Sequence, residues 1–209
     1  MIKKSKLAIM LSNFETFKQP KAELEQYAFD GQSASEMLWD AHQLGDIENK
    51  VVGDFGCGTG ILGIGALLLG AKFVYFIDTS EAAVIAAKRN LKKAEEDQEL
   101  NLKDKASFLI GDISMFKKKV DTVLQNPPFG TQKEHADRIF LEKAIENAKI
   151  TYSVHKTSTS DFIRDFSKKN GGNITHIFRL EIQLKQTMKW HKSNIRRVNV
   201  SAFRIEKIK

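Results

Sequence analysis

The chain has 209 residues, 42% hydrophobic and 28% charged with only 3 prolines, a core-forming composition that excludes disordered and collagen-like classes. Lysine and arginine total 33 against 26 acidic residues, a formal net charge of +7, and a single cysteine excludes a disulfide framework. The longest apolar run, Ile61 to Ala71, is far shorter than the roughly 20 residues of a membrane span. Met1 to Lys6 leads into polar Ser12, Asn13 and Glu15 rather than into a signal-peptide apolar region. Together these predict an intracellular, cytoplasmic protein without membrane contact, in one domain.

In chain order, short helices are expected over residues 3–11 and 34–44, the second capped by Ser33 or Ser35, with a loop over residues 20–31 between them. A strand over 51–55 stops at a glycine-rich turn and restarts as an apolar helix over 61–69. A second strand over 73–77 precedes a helix over 81–96. Strands over 108–110 and 122–125 follow, then a helix over 140–149. Continuous apolar strands spaced by helices predict a parallel sheet covered on both faces. Beyond residue 150 come a strand over 151–154 and a helix over 160–169 ended by Gly171 and Gly172. Two alternating runs, from Phe178 and from Val198, read as an antiparallel hairpin at one end of the sheet. The fold class is therefore α/β, a doubly wound Rossmann-like, mostly parallel sheet of seven strands with a C-terminal antiparallel hairpin and helices on both faces. One domain is divided into a helical cap (1–49), a core (50–150) and a basic C-terminal half-sheet (151–209).

Charge follows the same division. Residues 1–21 carry 5 basic and 1 acidic side chains, and residues 22–50 carry 1 and 7. Residues 51–150 are balanced at 14 and 14, and residues 151–209 carry 13 and 4. The positive charge belongs to the chain ends, which points to a polyanion contacting those ends rather than to a uniformly basic surface.

The glycine turn, Asp54-Phe55-Gly56-Cys57-Gly58-Thr59-Gly60, lies where a strand becomes a helix, where glycine permits both a tight turn and close approach of a ligand. A second acid, Asp78, ends the next strand at the spacing suited to a ribose diol. Strand, turn, helix, strand and acid together predict a nucleoside cofactor: NAD, FAD or S-adenosyl-L-methionine. Asp54 favours the last, because a carboxylate suits an ammonium and a sulfonium and repels a pyrophosphate. Asp112, after the third strand, is placed to accept from the adenine amino group.

At the end of the fourth strand stand Asn126, Pro127, Pro128 and Phe129. Prolines lack amide donors and fix the backbone, so carbonyl oxygens are presented as pure acceptors. The Asn126 side-chain oxygen and the Pro127 carbonyl can each accept from an exocyclic NH₂. This draws the nitrogen lone pair out of conjugation and stabilises the positive charge that grows on it. Phe129 offers a face on which a flipped base stacks.

The glycine turn with Asn126 to Phe129 resembles the class I S-adenosylmethionine-dependent amino-methyltransferases. More narrowly, Leu24-Glu25-Gln26-Tyr27, Gly45 to Lys50, Leu67 to Ala71, Asn126 to Gly130 and Tyr152-Ser153-Val154-His155-Lys156 resemble the methyltransferase-like five family of adenine-N6 ribosomal RNA methyltransferases and its archaeal relatives. The resemblance implies methylation of N6 of one adenosine in small-subunit ribosomal RNA. It implies cofactor contacts from Gln26, Gly56, Thr59, Ile61, Asp78, Asp112 and Ile113, beside Asp54, Gly58 and Gly60 of the turn, and a target adenine held by Asn126 to Phe129. It also implies a small zinc-binding activator protein as partner in a heterodimer, paired with a sheet edge. Two positions depart from the family pattern: Ala28-Phe29-Asp30 replaces a proline and threonine after Tyr27, and Ser80 stands where a second acid is common.

The five histidines and single cysteine have no metal-ligand spacing, so no metal site is expected. Lys189, Trp190, His191, Lys192, Arg196 and Arg197, between the last two strands, combine aromatic and cationic groups suited to RNA. His155 and Lys156 are placed to touch RNA phosphate or the loop after Phe129. Protein glutamine N5-methylation is the alternative chemistry, since the same acceptors serve any planar amide. Phe129, where glutamine enzymes usually carry tyrosine, and the basic ends favour RNA. A non-catalytic RNA-binding ribosome assembly factor is the alternative from another class, and the intact Asn126 to Phe129 argues against it.

Overall fold

The structure, a computed structural model, describes residues 2–16, 29–128, 136–184 and 196–208; Ala136, Gln183, Leu184, Arg196 and Arg197 enter below through their backbone alone. A seven-stranded sheet runs in the order β3-β2-β1-β4-β5-β7-β6. Its strands are β1 (Val51–Phe55), β2 (Phe73–Asp78), β3 (Ala106–Ile110), β4 (Val120–Gln125), β5 (Ala148–Lys156), β6 (Gly172–Leu184) and β7 (Arg196–Lys207). The first five pair in parallel, and β7 pairs antiparallel with both β5 and β6. The doubly wound sheet with its C-terminal hairpin is thus as expected from the sequence.

The helices are α1 (Lys4–Ser12), α2 (Gly31–Gln43), α3 (Ile61–Leu68), α4 (Glu81–Gln98), α5 (Ala136–Asn147) and α6 (Ser160–Lys169). Side chains from α1 to α4 share a core with Val52, Val74, Phe76, Leu124 and Tyr152 on one face of the sheet. On the other face Phe55, Ile77 and Val123 meet Ala144 of α5, and Ile163 of α6 joins Phe203 and Ile205. The chain changes face between β1 and β4, so the strand order reverses there, and ligands of open α/β sheets bind at such a point.

Several boundaries differ from the sequence expectation. The cap of α2 is Asp30, not Ser33 or Ser35: its carboxylate accepts from the Ser33 N–H and the Ser33 hydroxyl, both at 2.9 Å, and starts the helix at Gly31. Asp30 is one of the residues that departs from the family pattern, and capping accounts for it. Helix α5 begins near 136 instead of 140, and β5 follows it directly from Ala148. Strand β6 starts at Gly172, ahead of the alternating run from Phe178, and a register irregularity at Ile174/His176 interrupts the alternation by which its first part would be read.

Candidate active site

The cofactor side is held by side chains that bind backbone. Past Phe55 the chain turns through Gly56, Gly58 and Gly60 at φ of 65°, 53° and 84°. A Cβ on Gly56 would lie 2.9 Å from the Phe140 ring, so only glycine lets this loop lie so close to α5. Asp54 Oδ2 accepts from the Gly63 N–H at 2.8 Å, tying the end of β1 to the first turn of α3. Asp78 Oδ2 accepts from the Gly58 N–H and its Oδ1 from the Ser80 N–H, each at 2.8 Å. Each carboxylate oxygen has two acceptor directions, so Asp78 retains capacity for a diol. Ser80, the second departure, caps α4 by accepting from the Ala83 N–H.

Burial pushes the Asp54 carboxyl up to about 7, with the Gly63 N–H opposing and Asp78 adding. A cation beside such a group draws it back to carboxylate, and an ammonium- or sulfonium-bearing ligand gains most there. With a glycine cradle and a diol acceptor at the next strand, these residues fit S-adenosyl-L-methionine. Thr59 is buried and Ile61 half-buried at the start of α3. Asp112 caps the turn Ile113–Met115 through a 2.8 Å bond from the Ser114 N–H, and Ile113 beneath it lies in the core cluster of Phe55 and Phe116. Cys57 is buried, which raises its thiol pKa, and it is the filler expected rather than a nucleophile.

One positioning residue escaped the sequence reading. Asn90 of α4 is 2% exposed and donates to the Thr59 carbonyl at 2.9 Å and the Glu15 carbonyl at 3.0 Å. Its Oδ1 accepts from the Glu15 N–H at 2.7 Å, so one amide fastens the N-terminal segment to the glycine loop. The available signal was an amide in line with Ala83, Ala87 and Ala94 on the buried stripe of a helix.

The acceptor side leaves the sheet beside the cofactor side. Phe55 and Gln125 are register partners in neighbouring parallel strands, so Gly56 and Asn126 emerge next to each other. Asn126, Pro127 and Pro128 follow without regular structure, Pro127 buried and its neighbours half-buried. Gln26, Phe129, Lys189, Trp190, His191 and Lys192 lie outside the described residues. Arg196 and Arg197 begin β7 on this same edge: the last residue of β5, Lys156, pairs with Val200, so Arg196 to Asn199 project past it. Lys156 is half-buried at that strand end.

Of the two contacts expected of His155, its placement excludes RNA phosphate, and the loop after Phe129 lies outside the described residues. The His155 ring is 2% exposed, and burial pushes its pKa down to about 3, so it is neutral and enclosed. Alternation along β5 turns it with Ser153 toward the α5 face, and its Nε2 lies 2.6 Å from the Ser153 hydroxyl. No group of three or more potential metal ligands occurs among the described residues.

Residues 36–127 match the family model described as ribosomal protein L11 methyltransferase (PrmA). Over its whole length the chain is 41% identical to an uncharacterized protein of Methanocaldococcus jannaschii, covering 100% of this chain and 96% of that one. It is 35% identical to the rRNA N(6)-adenosine-methyltransferase Mettl5 of Drosophila melanogaster, covering 98% of this chain and 97% of the relative. The chain belongs to the Mettl5 family. The corresponding Danio rerio enzyme is 37% identical, with 91% and 92% covered. A crystal structure of a Pyrococcus horikoshii protein assigned to the RNA methyltransferases superposes at a TM-score of 0.87 with 42% identity, covering 100% of both chains. The family-model match stops at Pro127, whereas the sequence identity with the Drosophila enzyme extends over 98% of the chain.

Proposed function

We infer that the protein methylates N6 of an adenosine in RNA, with S-adenosyl-L-methionine as donor and small-subunit ribosomal RNA as substrate. The observation that carries this is the side-by-side exit of Gly56 and Asn126 from β1 and β4, which sets a cofactor cradle against a pure-acceptor turn. When bound, the cofactor supplies an electrophilic methyl group. Asp54, Asp78 and the glycine loop bind and orient it, and Asn90 holds the loop at Thr59.

The Asn126 side-chain oxygen and the Pro127 carbonyl accept from the adenine amine, which keeps its lone pair out of the ring and stabilises charge as the new bond forms. No residue need act as base, since the resulting cationic amine is acidic enough to give its proton to water. Lys156, Arg196 and Arg197 hold the RNA backbone at the crevice, and Lys189, Trp190, His191 and Lys192, outside the described residues, are the further RNA contacts of this reading. Incubation with labelled cofactor and ribosomal RNA, followed by digestion to nucleosides, tests the reading. Label in N6-methyladenosine supports it; label only in protein would favour the glutamine reading, and RNA binding without label would favour an assembly factor.

The activator subunit belongs to the same proposal. Strand β3 ends the sheet on the cofactor side, and Ile110 and Met115 beside it are 48% and 59% exposed. An edge strand, paired on one side with β2 and flanked by apolar side chains, suits strand addition by a small zinc-binding partner. Ile110→Asp should abolish co-purification with that subunit while leaving the cofactor affinity of the isolated chain unchanged. No helix among the described residues is long and apolar enough to cross a membrane, and we place the reaction in the cytoplasm with its ribosomal substrate.

A further inference from the structure

A buried polar chain lies directly beneath the acceptor turn. Gln125, 0% exposed and the residue before Asn126, donates from Nε2 to the Ser153 hydroxyl at 2.9 Å. The Ser153 hydroxyl in turn lies 2.6 Å from His155 Nε2. Nδ1 faces Asp137 Oδ2 of α5 at 4.0 Å, and a carboxyl oxygen there favours a proton on Nδ1, which leaves Nε2 to accept from the Ser153 hydroxyl. Gln125 and Asp137 bound the segment that carries Asn126 and Pro127, so the chain runs from one end of that segment to the other through β5.

Nothing in packing alone asks for this arrangement. Gln125, Ser153 and His155 lie on the face of the sheet that otherwise holds Phe55, Val123 and Phe203, where apolar side chains would fill the volume. The ring of His155 sits edge-on to Phe203 at 6.0 Å. Gln125 Oε1 is buried with no hydrogen-bond donor among the described residues, a cost that an apolar residue would avoid. The Gln125–Ser153 bond ties the end of β4 to β5 with a set distance and direction, and the His155–Asp137 contact, at 4.0 Å an electrostatic pairing rather than a hydrogen bond, orients β5 against the start of α5.

We propose that Ser153 and His155 are positioning residues for methyl transfer, setting the acceptor turn through Gln125 on one side and the start of α5 on the other. The proposal rests on the methyltransferase reading and assigns neither residue a contact with RNA. Misplacing an acceptor pair by about 1 Å is enough to cost up to ~10²-fold in rate, so loss of one link should be read in kcat.

The test uses the full chain with labelled cofactor and ribosomal RNA. Ser153→Ala, which deletes one hydroxyl, and His155→Leu should each lower kcat by about 10-fold while leaving KM for S-adenosyl-L-methionine within about 2-fold. His155→Gln, which restores an acceptor for the Ser153 hydroxyl, should recover part of the loss. The salt dependence of RNA binding should be unchanged in all three, whereas a lost phosphate contact would lower its slope by about 0.7–0.9. In ¹⁵N spectra of the wild type, His155 should remain the Nδ1–H tautomer down to pH 5. Unchanged kcat in Ser153→Ala, or equal kcat in His155→Leu and His155→Gln, would overturn the proposal. If the wild type labels N6-methyladenosine and the variants match it, positioning alone fails; if the wild type labels no RNA, the methyltransferase reading fails first.

Discussion

The two loops that meet at the switch point are built by opposite means. On the cofactor side the side chains that fasten the loop do so through backbone: Asp54 to Gly63, Asp78 to Gly58, Asn90 to Thr59. On the acceptor side the fastening runs from side chain to side chain, across from Gln125 of β4 to Ser153 of β5 and then along β5 to His155. Backbone anchoring suits a loop whose own N–H groups receive the ligand. Side-chain anchoring suits a turn made of prolines, which has few donors to offer.

The contrast can be broken most forcefully at the acceptor itself. Asn126→Ala should lower kcat by at least ~10²-fold, the scale for one preorganised polar group at a developing charge, with cofactor affinity near that of the wild type by calorimetry. Neutralising Lys189, Lys192, Arg196 and Arg197 together should reduce the slope of log K against log salt by about 3 and weaken RNA binding accordingly. An unchanged slope would return these four to solvated surface. On the cofactor side, Asn90→Ala should raise the dissociation constant for S-adenosyl-L-methionine by about 10-fold, the scale of one or two buried hydrogen bonds. Its kcat at saturating cofactor should change by less than about 2-fold. An effect on kcat instead would mean that the two loops are not separately held.

The acceptor side also sets a stability test. The folded-state pKa of His155 is depressed to about 3, so between there and roughly 6.5 the unfolded chain binds a proton that the folded one refuses. Stability from this site is therefore complete above about 6.5 and declines as pH falls toward 3. Denaturant midpoints measured from pH 7.5 to 4.5 should fall more steeply for wild type than for His155→Gln.

The same contrast explains what was legible in the sequence. Strand β1, the glycine turn and α3 follow from local residues, because the turn's positive φ values require glycine where glycine stands. The fold class is also legible, since continuous apolar strands alternate with helices. The acceptor turn is readable through its prolines. Its support is not: Gln125, Ser153 and His155 are ordinary polar residues until β4 and β5 pair and turn them to one face. His155 reads as a phosphate ligand because it is basic and follows a strand on the ligand side. Only the pairing with β7 and the cover by α5 reveal it as enclosed. Asn90 is hidden likewise, since its partners Glu15 and Thr59 are remote in the chain. The cap of α2 was misplaced because Ser33, a residue of capping type, is itself one of the groups that Asp30 binds.

Tyr152 gives the acceptor side a further property. Its hydroxyl, wholly buried on the face opposite Ser153 and His155, donates to Asp46 Oδ2 at 2.7 Å, and Arg204 of β7 binds the same carboxylate at 2.8 Å. A strand that slips by one residue exchanges its two faces. In β5 such a slip would strand a tyrosine beneath α5 and swing the serine and histidine toward α2 and α3. The Asp46 carboxylate therefore serves as a keyway: it admits β5 in one alignment only, and in that alignment the chemistry on the far side of the sheet is already in phase.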